Sequence, residues 1–109
     1  MARRKIQVEE EVAHMAANFF ARESETGSLI TVTHANVSPN YKEATIFLSI
    51  LPHTQEDTAL KTAKRQRTDF RDYLRTHSKF HPVPTVDFEI DYGEKNRQRI
   101  DELTRKKPR

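Results

Sequence analysis

Residues 54–84 read TQEDTALKTAKRQRTDFRDYLRTHSKFHPVP, and the pattern of this stretch decides the fold of the chain. Apolar side chains recur there at helical spacing in two groups, first Ala59, Leu60 and Ala63, then Phe70, Tyr73 and Leu74. The turn between the two groups is polar. The pattern therefore predicts two helices with an interruption at Gln66 to Asp69, and a single straight helix with a weak central turn is the alternative.

Polar residues predict where each of these helices begins. Thr54 is the expected N-cap of the first helix, and Glu56 and Asp57 place negative charge in its first turn, where the helix dipole favours it. Thr68 or Asp69 is the expected cap of the second helix. Two prolines, at positions 82 and 84, end the helical stretch because proline cannot continue a helix.

The same stretch carries the surplus positive charge of the chain. Residues 61–81 hold seven basic side chains against two acidic ones, the basic residues being Lys61, Lys64, Arg65, Arg67, Arg71, Arg75 and Lys79. Lys64, Arg67, Arg71 and Arg75 follow steps of three and four residues, so they share one helical face. A local row of cations predicts contact with the phosphates of a nucleic acid, and a merely solvated face is the alternative.

Three other segments have clear periodicity. Apolar residues at helical spacing predict a helix over Gln7 to Arg22. Alternating apolar residues predict strands over Leu29 to Ser38 and over residues 44–50, paired as an antiparallel hairpin. The alternation slips near Thr33 or His34, which predicts a β-bulge there.

In the last third of the chain, a segment of alternating apolar and acidic residues is followed by a segment of mixed composition. Residues 86–90 predict a half-buried strand with an acidic outer face. A final helix is expected over Glu94 to Lys106, with Ile100 and Leu103 as its inner face. Because two apolar residues make a small inner face, this helix should dock weakly.

The order of elements predicts an α+β fold. The chain reads helix, strand, strand, broken helix, strand and short C-terminal helix, with the helices on one face of a three-stranded sheet. This order fits a KH-like arrangement of the helix-first type (type II). A ferredoxin-like sheet is the rival and would require a fourth strand. We expect a single domain over residues 1–109, with a basic N-terminal arm at 1–5 and a weakly docked helix and tail at 94–109.

Composition excludes several classes of protein. The chain has no cysteine, which excludes disulfides, cysteine-based zinc sites and thiol catalysis. No apolar run approaches the length of a membrane span, and the N-terminus lacks the apolar core of a signal peptide, so a cytoplasmic protein is expected. No long apolar stripe is left over, which favours a monomer.

Two groups of titratable residues are candidates for metal binding or catalysis. His77 and His81 are four residues apart, but two histidines without a third ligand make a poor metal site. Asp87, Glu89 and Asp91 share one strand face, and a solvated face is favoured over a pair of catalytic carboxylates. We therefore predict no catalytic residue, no metal, no cofactor and no small-molecule substrate.

Three motifs resemble those of the ribosome-binding factor A family. Ser38 to Ala44 (SPNYKEA) is similar to the family's Ser-x-Asp-Leu-x-x-Ala. Val83 to Asp91 (VPTVDFEID) is similar to Val-Pro-x-Leu-x-Phe-x-x-Asp, and Arg99 to Leu103 (RIDEL) to Arg-Ile-Asp-x-Leu. The motifs occur in the family's order and on the predicted elements, so the resemblance covers nearly the full chain.

The resemblance implies a function as well as a fold. It implies a bacterial, non-enzymatic assembly factor that binds the immature small (30S) ribosomal subunit, through both rRNA and ribosomal proteins. It also implies help with late maturation of the 16S rRNA, including its 5′ region. The family kinks its helices at Ala-x-Gly, and the matching residues here are Arg67, Thr68 and Asp69. The Gly-x-x-Gly clamp of single-strand-binding KH domains is absent.

Three classes of function follow from these patterns. In the preferred class, an rRNA-binding assembly factor, the row from Lys64 to Lys79 contacts phosphates, supported by Lys61, Arg65 and the basic arm. On this hypothesis, reversal of Arg71 and Arg75 to glutamate abolishes subunit binding and leaves the fold intact. The alternatives are a generic RNA- or DNA-binding KH-like module and a small metal-dependent nuclease that uses the acidic strand.

Overall fold

The computed structural model describes residues 2–23, 28–80 and 82–97 of the 109-residue chain. Its elements are helix α1 (Ala2–Glu23), strand β1 (Leu29–Val37), strand β2 (Glu43–Leu51), a 3-10 turn (His53–Gln55), helix α2 (Glu56–Arg65), helix α3 (Arg67–His77) and strand β3 (Thr85–Ile90). A further helical segment begins after β3, and its described part covers residues 92–97.

The three strands form one mixed sheet in the order β1-β2-β3. β1 and β2 are antiparallel, with Leu29 opposite Leu51, whereas β2 and β3 are parallel, with Ile46 opposite Phe88. The order of helices and strands is that of the helix-first KH-like arrangement, as predicted. Within the described residues there is no fourth strand, which the ferredoxin-like rival would require.

The core lies between one face of the sheet and the three helices. Buried apolar residues alternate along the strands, so they all lie on the face that the helices cover. Four phenylalanine rings meet at the centre in edge-to-face or tilted contacts, with centroids 5.1–5.7 Å apart: Phe19, Phe20, Phe70 and Phe88. Phe70 and Phe88 are fully buried.

Helix α1 begins earlier than its apolar pattern predicts. It begins at Ala2 instead of Gln7, so residues 2–5 of the expected basic arm lie at the start of the helix and Arg4 is exposed to solvent. Lys5 pairs with Glu9 at 3.5 Å, and Glu9 Oε2 accepts a hydrogen bond from the Val37 amide at 2.8 Å. These contacts are polar and include the start of the helix, which precedes its apolar residues.

The predicted bulge in β1 is confirmed. The pairing of β1 with β2 shifts register between Val32 and His34, which leaves Thr33 without an opposite residue in the pairing. Because the bulge changes the side-chain phase, Ile30 and Val32 pack against the core before it and Ala35 and Val37 after it.

The predicted helix starts are partly wrong. Thr54 lies in the 3-10 turn, and Gln55, which makes no side-chain cap, precedes α2. The interruption between the helices is confirmed, but it is confined to Gln66. The Gln66 carbonyl already accepts the Phe70 amide at 2.8 Å, which places Thr68 and Asp69 inside the first turn of α3. Neither residue caps the helix, because the α3 hydrogen-bond ladder has begun before them.

The described part of the C-terminal helix touches the start of α2. Lys95 Nζ lies 2.9 Å from Glu56 Oε1, and this hydrogen bond raises the pKa of Lys95 above its ordinary value. The expected inner face, Ile100 and Leu103, lies outside the described residues. Among the helices that the structure describes, none is long and apolar enough to cross a bilayer.

Candidate nucleic-acid interface

The basic residues lie on α2, on α3 and, in the case of Lys79, just after α3. Ala59, Ala63, Phe70 and Leu74 are buried and fix the inner face of the two helices, as the sequence predicts. The cations therefore occupy the remaining faces. Apart from Arg71, which is described separately, the structure divides them into three groups according to their contacts.

Lys64 forms the first group together with Arg67. Lys64 Nζ lies 2.8 Å from Asp87 Oδ1 and 3.2 Å from Glu89 Oε2. Arg67 Nη1 lies 3.2 Å from the same Asp87 oxygen, and Arg67 Nε donates to the Lys64 carbonyl at 2.9 Å. Asp87 and Glu89 on the outer face of β3 therefore neutralise Lys64 and Arg67 at the β3 edge of the described sheet.

The electrostatics of this cluster follow from its partial burial. Burial disfavours the charged form of Lys64, but hydrogen bonds to Asp87 and Glu89 outweigh it and raise the Lys64 pKa. Burial also works against ionised Asp87, yet hydrogen bonds from Lys64 and the Phe88 amide hold the Asp87 pKa below its ordinary value. Both groups are thus charged at neutral pH.

Arg71 has a structural role that the sequence did not reveal. Its Nε donates to the Pro84 carbonyl at 3.0 Å, and its Nη2 donates to the Val83 carbonyl at 3.2 Å. The half-buried guanidinium therefore ties α3 to the segment that enters β3. This contact weakens the expectation that reversal of Arg71 leaves the fold intact.

The second group is Arg75, which pairs with a residue on its own helix. Arg75 Nη1 lies 2.6 Å from Asp72 Oδ1, and more than half of each side chain is exposed. An exposed pair of this kind contributes little free energy, because both charges are also well solvated. Arg75 can therefore exchange Asp72 for a phosphate at low cost.

The third group consists of Lys61, Arg65 and Lys79. All three side chains are exposed, and within the described part of the chain none of them makes an ion pair. Lys61 and Arg65 lie one turn apart on α2, and Lys79 follows α3. These are the cations that a phosphate can reach without displacing a carboxylate.

The carboxylates on β3 and beyond serve the fold. Asp87 and Glu89 share the Lys64 ammonium, while Asp91 accepts a hydrogen bond from Thr33 Oγ1 at 2.6 Å and from the Glu94 amide at 2.9 Å. The described residues contain no group of three His, Asp or Glu side chains arranged to hold a metal ion.

One member of the predicted histidine pair lies at the end of α3. The helix ends at His77, whose ring stacks on Tyr73 with centroids 4.2 Å apart. His81, the other member, lies outside the described residues.

A second basic feature shares Lys79 with this face and extends to the other side of it. Arg4, Lys42 and Lys79 surround a groove of about 390 Å³ between the N-terminal half of α1, the β1–β2 turn and the segment after α3. The sequence predicted no role for Lys42, because the three cations come from distant segments of the chain. The Ser-Pro-Asn-Tyr turn is the one feature of the groove that is visible in the local sequence.

The family model for ribosome-binding factor A matches residues 2–104, which include every described element. This chain belongs to the ribosome-binding factor A family.

Two curated members of the ribosome-binding factor A family resemble the chain in sequence. The protein from Rhodospirillum rubrum is 34% identical over 95 residues, a stretch that covers 81% of this chain and 57% of the relative. The protein from Bradyrhizobium sp. (strain ORS 278) is 27% identical over 109 residues, covering 95% of this chain and 79% of the relative. The chain thus spans little more than half the length of the first relative.

A solved structure resembles the chain in fold. The crystal structure of ribosome-binding factor A from Thermus thermophilus superposes with a TM-score of 0.70 at 16% identity, covering 77% of this chain and 92% of that one. At this level of identity the likeness concerns the fold, which is the KH-like arrangement described above.

Proposed function

We propose that this protein binds the small (30S) ribosomal subunit and assists late maturation of its 16S rRNA, including the 5′ region, without catalysing a reaction. Membership of the ribosome-binding factor A family is the single observation that carries the proposal. We propose further that the protein acts in the cytoplasm as a monomer, and that both rRNA and ribosomal proteins contact it.

The grouping of cations supports a specific mode of rRNA binding. Lys61, Arg65 and Lys79 provide charges without carboxylate partners among the described residues, and Arg75 provides a loosely paired one. Lys64 and Arg67 add positive potential, but Asp87 and Glu89 compete with phosphate for them. We propose that the exposed cations make the direct phosphate contacts and that Arg71 acts through the fold.

Phosphate contacts hold a protein in register without reading sequence. Selectivity for the small subunit therefore requires recognition of rRNA shape and of neighbouring ribosomal proteins.

Co-sedimentation with purified small subunits, mature and immature, across a salt series tests the proposal. We expect association that is stronger for immature subunits, and we expect the double variant Lys61→Glu with Arg65→Glu to lose it. Arg97→Glu is the single-charge control, because Arg97 is an exposed cation on the helical segment after β3, where it pairs with Glu94. Equal affinity for any RNA or DNA duplex would instead identify a generic basic module.

A second measurement addresses the absence of catalysis. We expect no cleavage when the protein is incubated with rRNA and magnesium. Cleavage that Asp87→Asn abolishes would contradict the proposal and direct attention to the acidic strand.

A further inference from the structure

The groove between α1, the β1–β2 turn and the segment after α3 has an apolar floor. Val8 is half-buried and forms the accessible part of the floor, while Val12 and Val37 are fully buried beneath it and Pro82 and Pro84 lie along one wall. Its volume of about 390 Å³ falls in the range of pockets that hold small organic groups, about 300 to 1,000 Å³.

The mouth of the groove is positively charged. Arg4, Lys42 and Lys79 line it, all three side chains are exposed, and no described carboxylate lines the cavity. Within the residues that the structure describes, none of the three cations makes an ion pair. An apolar interior beneath unpaired cations fits a ligand that is apolar at one end and anionic at the other.

Two aromatic residues, Tyr41 and Phe80, contribute to the groove walls. Tyr41 has a positive φ of 62°, a backbone conformation that bulky side chains rarely adopt. The turn holds it there, because the Tyr41 amide donates to the Ser38 carbonyl at 2.9 Å and the Ser38 amide donates to the Glu43 carbonyl at 2.8 Å. An asparagine would fit this conformation at lower cost, but it would not bring an aromatic ring to the groove.

Asn40 adds a hydrogen-bond donor to the wall. Its Oδ1 accepts hydrogen bonds from Ser38 Oγ at 2.6 Å and from the Lys42 amide at 3.0 Å. Because the oxygen is occupied, the amide nitrogen is the part of this side chain that can contact a ligand.

We propose that this groove binds an unpaired nucleotide of single-stranded RNA, with the base against Tyr41, Phe80 and the valine floor and the flanking phosphates at the three cations. The inference rests on the proposed RNA-binding function and adds a second contact site to it. Unpaired bases can enter an aromatic pocket directly, whereas a base in a duplex must first leave its pair and its stack. A polyglutamate peptide would satisfy the cations but would bring no planar aromatic group to the apolar interior.

NMR titration of the valine methyl groups tests the inference directly. The probes are pentauridylate, pentaadenylate and an abasic ribose-phosphate pentamer of the same length. We expect the base-containing oligomers to shift the Val8 and Val37 signals and to bind at least about fivefold more tightly than the abasic oligomer, since base stacking is lost in the latter. An equal response to the abasic oligomer or to a polyglutamate peptide would reduce the groove to an electrostatic patch and overturn the inference.

Two variants and a control separate the ring from the charge. Tyr41→Asn suits the left-handed backbone and should fold, as circular dichroism will show, but it should weaken oligonucleotide binding at least about fivefold. Lys79→Glu should weaken both base-containing and abasic oligomers, and Arg97→Glu should change neither. Unchanged oligonucleotide binding by folded Tyr41→Asn would overturn the assignment.

Failure of the groove inference can be distinguished from failure of the proposed function. If the valine signals do not shift with RNA while the protein still co-sediments with small subunits, the groove inference fails and the function stands. If the signals shift with RNA but the protein does not associate with subunits, the groove stands as a nucleotide site and the proposed function fails.

Discussion

The Lys64 ammonium lies 2.8 Å from Asp87 Oδ1 and joins helix α2 to strand β3. Helices cover one face of the sheet, whereas Asp87 projects from the other face, so the lysine side chain passes around the β3 edge of the described sheet. About a third of each side chain is exposed, 31% for Lys64 and 39% for Asp87. The pair therefore combines a structural contact with partial access to solvent.

The first prediction concerns the pH dependence of this pair. Asp87→Asn should lower the free energy of unfolding at neutral pH by about 1 kcal/mol or less, because solvent screens the pair. The Asp87 pKa is lower in the folded state, so the contribution of its charge is full above the pKa of an unfolded aspartate, about 3.9. It should disappear as pH falls below that value through the folded pKa. Urea denaturation at several pH values measures the difference.

A double-mutant cycle provides the control for this prediction. Lys64→Met should reproduce most of the loss, and the double variant should lose less than the sum of the single variants. Strict additivity at neutral pH would show that the two side chains do not interact.

The second prediction separates structural from exposed arginines. Arg71→Ala should reduce stability by about 1 to 3 kcal/mol, because two carbonyl groups next to β3 lose a charged donor. Arg75→Ala, on the same helix, should change stability by about 0.5 kcal/mol or less, because its ion pair is exposed. Urea unfolding of the two variants is the measurement, and equal losses would argue against the structural role of Arg71.

The third prediction concerns the salt dependence of RNA binding. Each exposed cation that contacts a phosphate should contribute about 0.7 to 0.9 to the slope of log K against log salt. Lys61→Ala and Arg65→Ala should therefore each flatten the slope by roughly this amount, as fluorescence anisotropy with an rRNA fragment can show. Arg97→Ala should leave the slope unchanged. If Arg97→Ala flattened the slope and the two α2 variants left it unchanged, the RNA interface would not include the exposed cations of α2.

The fourth prediction tests the aromatic core. Phe70 is fully buried between Phe19 and Phe88, so Phe70→Ala should cost about 3 to 5 kcal/mol. This is a large share of the total stability expected of a small domain, about 5 to 15 kcal/mol. Leu29→Ala serves as the control, because Leu29 is 61% exposed and should change stability by about 0.5 kcal/mol or less. Thermal or urea unfolding compares the two variants.

Local periodicity accounts for the features that the sequence predicted well. The bulge near Thr33 was visible because a change of side-chain phase within one strand appears directly in the order of residues. The polar turn at Gln66 could also be predicted, because it interrupts the helical spacing of the apolar residues. The position of the α2 start was not, because the Pro52 carbonyl accepts the Gln55 amide and inserts a 3-10 turn that has no periodic signal.

Contacts between distant segments account for what the sequence did not reveal. Lys64 and Asp87 are 23 residues apart, and their pairing depends on how α2 crosses the sheet. The row of cations could therefore be predicted, but its division into paired and exposed members could not. The groove lined by Arg4, Lys42 and Lys79 depends in the same way on three elements meeting in space.

The passage of Lys64 around the edge of β3 has a further consequence. Among the described strands, β3 is the last of the sheet and runs parallel to β2, so no described strand pairs with its outer backbone groups. An exposed strand edge is a template on which another polypeptide can add a strand and begin to aggregate. The side chains of Lys64, Arg67 and Arg71 all reach this strand or its entry segment, so they cover part of the edge and obstruct such pairing. The ion pairs that neutralise part of the basic face thereby also shield the edge of the sheet.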